Sequence, residues 1–336
     1  MRTHYILAAV SLVVCLMGAR AQSLLVVNQG DATVSVIDPQ TGKQVATIEE
    51  HTPGVHGHEI AVSADGKTAF LPIYGSVGVG KPGIDGHEML VLDLPSRRII
   101  DHVEFGHGVR PHMPLLDEAS GMLYVTTELD KTVTVIDPKT HRIVGTIPTG
   151  AEQSHMLILS HDGKTGYTAN VGPGSVSVLD MRERKTLAVI PVAAEVQRIA
   201  ISNDDKWVFT SDPKQPRMAV IDTSTHKVAK WIELPGMGYG AKPTTDGKWL
   251  LVAIPAAGKV AVVDLATMTV KNTVEVPLAP QEVVIRPDQK VAYVSCNTSG
   301  KVAAINLTTW KTDLIAAGPL ADGMIWVPSR KGQPVR

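Results

Sequence analysis

The feature that most constrains this chain is a repeat of about 42 residues that runs along nearly all of its 336. The segments TVSVIDPQTGK (33–43), EMLVLDLPSRR (88–98), TVTVIDPKTHR (132–142), SVSVLDMRERK (175–185), RMAVIDTSTHK (217–227), KVAVVDLATMT (259–269) and KVAAINLTTWK (301–311) align on one acid or amide. That anchor is Asp38, Asp93, Asp137, Asp180, Asp222, Asp264 and Asn306. Successive anchors lie 55, 44, 43, 42, 42 and 42 residues apart, so only the first interval carries an insertion. A fixed period of this length marks a solenoid, a propeller or an array. Inside each unit, short runs alternate apolar and polar residues between turn residues, which is the pattern of half-buried strands. An apolar strand, a turn such as Ala64-Asp65-Gly66-Lys67 and a second strand such as Leu123-Tyr124-Val125-Thr126 precede the anchored third strand. A fourth, such as 142–147, follows it. Four strands per unit and seven units predict an all-β, seven-bladed β-propeller. The anchor is expected to accept hydrogen bonds from the turn amides after it, as Asx turns do, which is a structural role.

Both chain ends fit a closed ring. The first unit opens directly on a second-type strand, Leu24-Leu25-Val26-Val27, while Gly323 to Val327 forms an orphan first strand near the C-terminus. Pairing the two completes the closing blade from both ends and leaves no open sheet edge. The propeller is therefore expected over 22–330, followed by a tail at 331–336.

Residues 1–21 read as a signal peptide. A basic start precedes an apolar run from Tyr5 to Met17, and Ala19-Arg20-Ala21 fits a cleavage site. The run is short of the roughly 20 residues needed to span a bilayer. Cys15 lacks the small residues of a lipoprotein signal, so no membrane anchor is expected and the location is periplasmic or secreted. The mature chain then keeps Cys296 alone and relies on its core without a disulfide. A formal net charge of −1 with interspersed signs gives no basic surface for nucleic acid.

Tyr124-Val125-Thr126-Thr127, Tyr293-Val294-Ser295-Cys296 and the V-S-V-I-D strands resemble the YVTN-type β-propeller repeat proteins across essentially the whole mature chain. The resemblance implies the fold and says little about activity, because such propellers host many functions.

In a four-stranded blade, the loops before strand one and after strand two open on the same face. His51, His56, His58, His107, His112 and His155 precede first strands, and His87 falls in the insertion after a second strand, so seven imidazoles share one face of neighbouring blades. Counting back seven from the Asp-Gly turn gives the equivalent position at each tunnel mouth: His58, His112, His155, Gln197, Tyr239, Gln281 and Asp322. Every member is polar, as a wet tunnel requires even without a ligand. Three neighbouring imidazoles go further and suit a Zn or Cu ion with an open position. Gln197, Tyr239, Gln281 and Asp322 complete a candidate ligand-binding ring, and Glu59, Glu88 and Glu128 add carboxylates on that face.

Glu128 ends its second strand, where the other units have Gln29, Tyr74, Val171, Pro213, Pro255 and Asn297. The stretch from Val109-Arg110-Pro111-His112 to Thr127-Glu128-Leu129 is similar to the seven-bladed lactonase family, whose proposed site joins a His, an Arg and a Glu on neighbouring blades. The resemblance implies catalytic roles for His58 and Glu128. His112 stands where that family has its Arg, and Arg110 lies two residues earlier. In such an enzyme a His and a Glu act as base and orienter for water attack on an ester carbonyl, and Arg110 stabilises the oxyanion.

Gly75 to Pro82 nearly matches a phosphate-binding loop. Pro82 replaces the required Ser or Thr, however, and the segment joins two strands. Five glycines between Gly75 and Gly86 suit a flap beside the histidines instead. Met113 and Met156 follow ring histidines and are expected to pack between blades. Cys296 is read as a small buried hydrophobe. Three functions remain: binding of a small molecule or metal ion on the histidine-rich face, a lactonase-like hydrolase or lyase using the same face, and a scaffold for another exported protein.

Overall fold

The computed structural model of the protein describes residues 22–328, so the expected signal peptide, 1–21, and the expected tail, 331–336, lie outside the described residues. Seven antiparallel sheets form the ring, six of four strands and one of five. Blade 1 pairs Ala321–Val327 with Ser23–Asn28, followed by Thr33–Asp38 and Lys43–Glu49. The ring is therefore closed from both chain ends, as the orphan strands predict. In blade 2 the first strand is broken into His56–Gly57 and Ala61–Val62, both paired with Thr68–Gly75, and Asp85–Asp93 and Arg98–Glu104 complete the sheet. Blade 3 comprises Pro111–Leu116, Leu123–Thr127, Thr132–Asp137 and Arg142–Pro148. Blades 4 to 7 repeat this order from Ser154, Ile199, Ala241 and Pro280 onward. His87 belongs to the third strand of blade 2 and not to the inserted loop, which is confined to 76–84. Among the described residues, no helix is long and apolar enough to cross a membrane.

The repeat residues build the blades through a shared turn. Each anchor accepts hydrogen bonds from the amides beyond it, for example Asp222 Oδ1 from Ser224 N at 2.8 Å and Asn306 Oδ1 from Thr308 N at 2.9 Å. Four residues after each anchor the backbone turns left-handed. The position is Gly42 in blade 1 but Arg97, His141, Arg184, His226, Met268 and Trp310 in the others, with φ between +53° and +64°. At His141, the residue's own N–H donates to the Asp137 carbonyl at 2.9 Å, which helps hold a side-chain-bearing residue in that region. Second and third strands are almost wholly buried, whereas fourth strands expose most of their residues on the outer wall. The core lies between blades, where Phe209, Leu250, Val252 and Val263 of blades 5 and 6 interlock. Each such side chain contributes roughly 1.5–3 kcal/mol on leaving water.

Met113 and Met156 sit in these inter-blade clusters, as expected. Cys296 is fully buried, and burial pushes its thiol up to about 12, so it is an inert packing residue at neutral pH. First strands of adjacent blades touch one another around the axis, which brings the mouth positions together.

Candidate functional site

The mouth ring converges as its register predicts. A cavity of about 200 Å³ is lined by His58, His155, Gln197, Tyr239, Gln281 and Asp322 of that ring. Gln29 and Asn297, from the ends of second strands, complete its wall. His112 does not reach this cavity; it lies beneath, 1% exposed, in a cluster with its neighbours. Gly78 and Val79 of the insertion also line the cavity, so the glycine-rich segment is a flap over the mouth.

The histidine side of the mouth is built around Tyr74, which ends the second strand of blade 2. Its ring centroid lies 4.7 Å from that of His58, 5.1 Å from His112 and 5.7 Å from His155. His112 and His155 stack at 3.5 Å, and His56 stacks on His58 at 5.0 Å. Glu128, 1% exposed, is the polar centre. Its Oε2 accepts the Tyr74 hydroxyl at 2.7 Å and lies 3.2 Å from His155 Nδ1. Among the described residues, Oε1 of the same carboxylate is buried without a partner, and so are Nε2 of His58, Nδ1 of His112 and Nδ1 of His56. Burial, then repulsion from its neighbours, drives His58 and His112 well below the ordinary histidine value. Burial lowers His155 too, against the opposing pull of Glu128. All three imidazoles are thus neutral at pH 7, the form that ligates metals. His58 meets His112 edge-on with ring centroids 5.3 Å apart, and the three do not bring one ligand atom each within 4.8 Å of the others. Among the described residues, the group of His and acid side chains whose ligand atoms all lie within 4.8 Å is Glu88, His102 and Glu104, on the outer wall of blade 2.

Arg110 does not face the mouth. Its Nε donates to Asp85 Oδ1 at 2.6 Å and its Nη2 to the Lys81 carbonyl at 2.7 Å, while the guanidinium carbon lies 5.8 Å from the Tyr74 ring centre. It ties the base of the insertion to the edge of the histidine cluster. Replacing it with alanine removes two strong hydrogen bonds, about 1.5–3 kcal/mol of local stability for a charged donor. Limited proteolysis should then cut within 76–84 about tenfold faster or more, with the ring intact; an unchanged rate would show that the flap is held by something else.

The far side of the mouth holds an ion cluster that sequence reasoning missed. Arg198, 3% exposed, bonds Glu59, Glu282 at 3.0 Å and Asp322 at 3.3 Å, and lies over the Tyr239 ring at 4.7 Å. Gln29 also donates to Asp322. One guanidinium therefore serves three carboxylates from blades 2, 7 and 1 and braces the ring across its axis. Burial, followed by the neighbouring acids, raises Glu282 to about 8; burial against the pull of Arg198 raises Asp322 to about 7. A signal for this cluster was present. Glu59, Arg198 and Glu282 each follow a ring position directly and carry complementary charges.

Fold and site together define a seven-bladed β-propeller with a flap-covered pocket at one tunnel mouth. Within that class, residues 118–245 match the family model of the cytochrome D1 heme domain. Two solved structures share the ring. One is Kuenenia stuttgartiensis hydrazine synthase, with a TM-score of 0.74 and 19% identity over 86% of this chain and 93% of that one. The other is the dihydro-heme d1 dehydrogenase NirN in complex with DHE, at 0.64 and 13% over 91% and 75%. At these identities the likeness is one of fold. No curated protein matches the sequence.

Proposed function

We propose that this chain is an exported binding propeller that takes a metal ion, Zn or Cu, on the histidine side of its tunnel mouth. The observation that carries this reading is the clustering of unmet acceptors. Seven buried side-chain polar atoms lack a partner among the described residues, and four of them belong to His56, His58, His112 and Glu128. A buried polar group left unpaired costs about 1–3 kcal/mol, so four in one place call for a species that supplies what they lack. Neutral imidazole nitrogens and a carboxylate oxygen are complementary to a cation. His58, His112 and His155 would hold the ion once their rings turn to present one nitrogen each to it, with Glu128 orienting His155.

A heme-type ligand is the second reading, supported by the cytochrome D1 match and by the NirN likeness. The mouth residues do not fit it well. The pocket is small beside the roughly 300–1,000 Å³ of ordinary ligand sites. Its buried cation, Arg198, already serves three carboxylates, which leaves no free positive charge there for a heme's acidic side chains. Lactone hydrolysis by His58, His112 and Glu128 would likewise proceed without Arg110, which is engaged at the flap.

Elemental mass spectrometry of the mature protein tests the proposal. Near-stoichiometric Zn or Cu is expected in wild type, and none at this site in a His58→Ala/His112→Ala/His155→Ala variant. A wild type that neither holds nor takes up metal, but develops a heme absorption band on titration, would establish the second reading instead.

A further inference from the structure

The outer wall of blade 2 places two acids where blades 5 and 6 pair a cation with an acid. At the start of the third strand and the end of the fourth, one register position faces another. In blade 6 it pairs Lys259 with Glu275, whose charged atoms are 3.1 Å apart, and in blade 5 it pairs Arg217 with Glu233. A cation faces a carboxylate in both. In blade 2 the same position pairs Glu88 with Glu104. Like charges directly opposite on adjacent strands repel, so this arrangement costs stability unless a positive charge is supplied. The same blade places His102 two residues before Glu104 on the same face, where blades 5 and 6 have Trp231 and Thr273. The ligand atoms of Glu88, His102 and Glu104 lie within 4.8 Å of one another; His102 Nδ1 pairs with Glu88 Oε2 at 2.5 Å, and His87 Nδ1 approaches Glu104 Oε2 at 3.1 Å.

We propose that Glu88, His102 and Glu104 form a surface site for a divalent metal ion of the zinc class. One imidazole and two carboxylates are ordinary zinc donors, and a fourth position remains open for water or His87. The ion takes the place of the cation that blades 5 and 6 carry at this position, Arg217 and Lys259. It also ties the fourth strand to the strand on which the flap is rooted, because Glu88 lies three residues beyond Asp85, the partner of Arg110. The site is separate from the tunnel mouth and does not depend on the reading given to it.

Competition for Zn²⁺ against a chromophoric chelator tests this directly. The His58→Ala/His112→Ala/His155→Ala variant should still bind about one zinc per chain. Adding Glu104→Gln should weaken that binding by more than about tenfold, since even an outer-shell partner is worth that much. Adding Glu88→Lys, which restores the repeat's own pair, should abolish it and leave thermal stability equal or higher. If the triple variant folds poorly, Glu88→Lys in wild type should bind one equivalent fewer than wild type. Zinc binding unaffected by Glu88→Lys, or no zinc bound outside the mouth, overturns the proposal and leaves two histidine–glutamate ion pairs.

Discussion

Replacing Arg198 with methionine should lower the unfolding free energy by about 3–5 kcal/mol, the usual cost of leaving buried charges without their partner. The substitution preserves much of the packing volume, so the loss isolates the charge. Glu59, Glu282 and Asp322 all depend on this guanidinium, and the other basic group within salt-bridge distance of them among the described residues is His58, 3.9 Å from Asp322 and neutral at pH 7. The double variant Arg198→Met/Glu59→Gln should recover part of the loss by removing one of the stranded acids. Equilibrium denaturation in urea gives both values. A cost below about 1 kcal/mol would mean that water reaches the cluster and that the tunnel is open at this level.

The second large effect is on pH. His58, His112 and His155 are all held below the ordinary histidine value of 6.5 by burial. The unfolded chain therefore takes up protons below 6.5 that the folded chain refuses, and stability present above that value is lost as pH falls through the folded values. Each unit of depression corresponds to about 1.4 kcal/mol. Asp322 and Glu282 act in the opposite sense. Their folded values are raised to about 7 and about 8, so their contribution is complete below the ordinary carboxylate range and lost as pH rises through those values. Thermal melts from pH 5 to 9 should show a decline on both sides of neutrality. A His58→Gln/His112→Gln/His155→Gln variant should flatten the acid limb, and Glu282→Gln should remove the loss between 4.5 and about 8, which flattens the alkaline limb and steepens the acid one. An acid limb unchanged in the triple variant would show that the three imidazoles are solvated.

The ring, its blade count and its closure were legible because each rests on local, periodic signals: alternation, turn residues and an anchor every 42 residues or so. The mouth ring was legible for the same reason, since equivalent positions in a repeat share a location. Long-range partnerships were not. Arg110 looked free to serve the mouth, but it turns to Asp85 across 25 residues of sequence, a pairing that depends on how the insertion folds back. Tyr74 appeared only as one member of a set of strand ends. Its role at the centre of the histidines comes from contacts with blades 3 and 4 that no single repeat encodes. Arg198 reaches Glu59 across 139 residues. Period analysis places such residues on the correct strand and is silent about which side chains meet across the axis.

Closure of blade 1 has a kinetic side. The other six blades are successive hairpins, and an isolated hairpin forms in about 1–10 μs. The seam between Ser23–Asn28 and Ala321–Val327 joins strands from opposite ends of the described chain. Its closure entropy grows only logarithmically, by about 0.6 kcal/mol per doubling of loop length, and burial of Met324, Trp326 and Val327 offsets it. The seam is nevertheless expected to form last, because it waits for the register of every other blade. By the same logic it is the first contact to part when either end is pulled, and it sets the direction in which the ring would unzip under force.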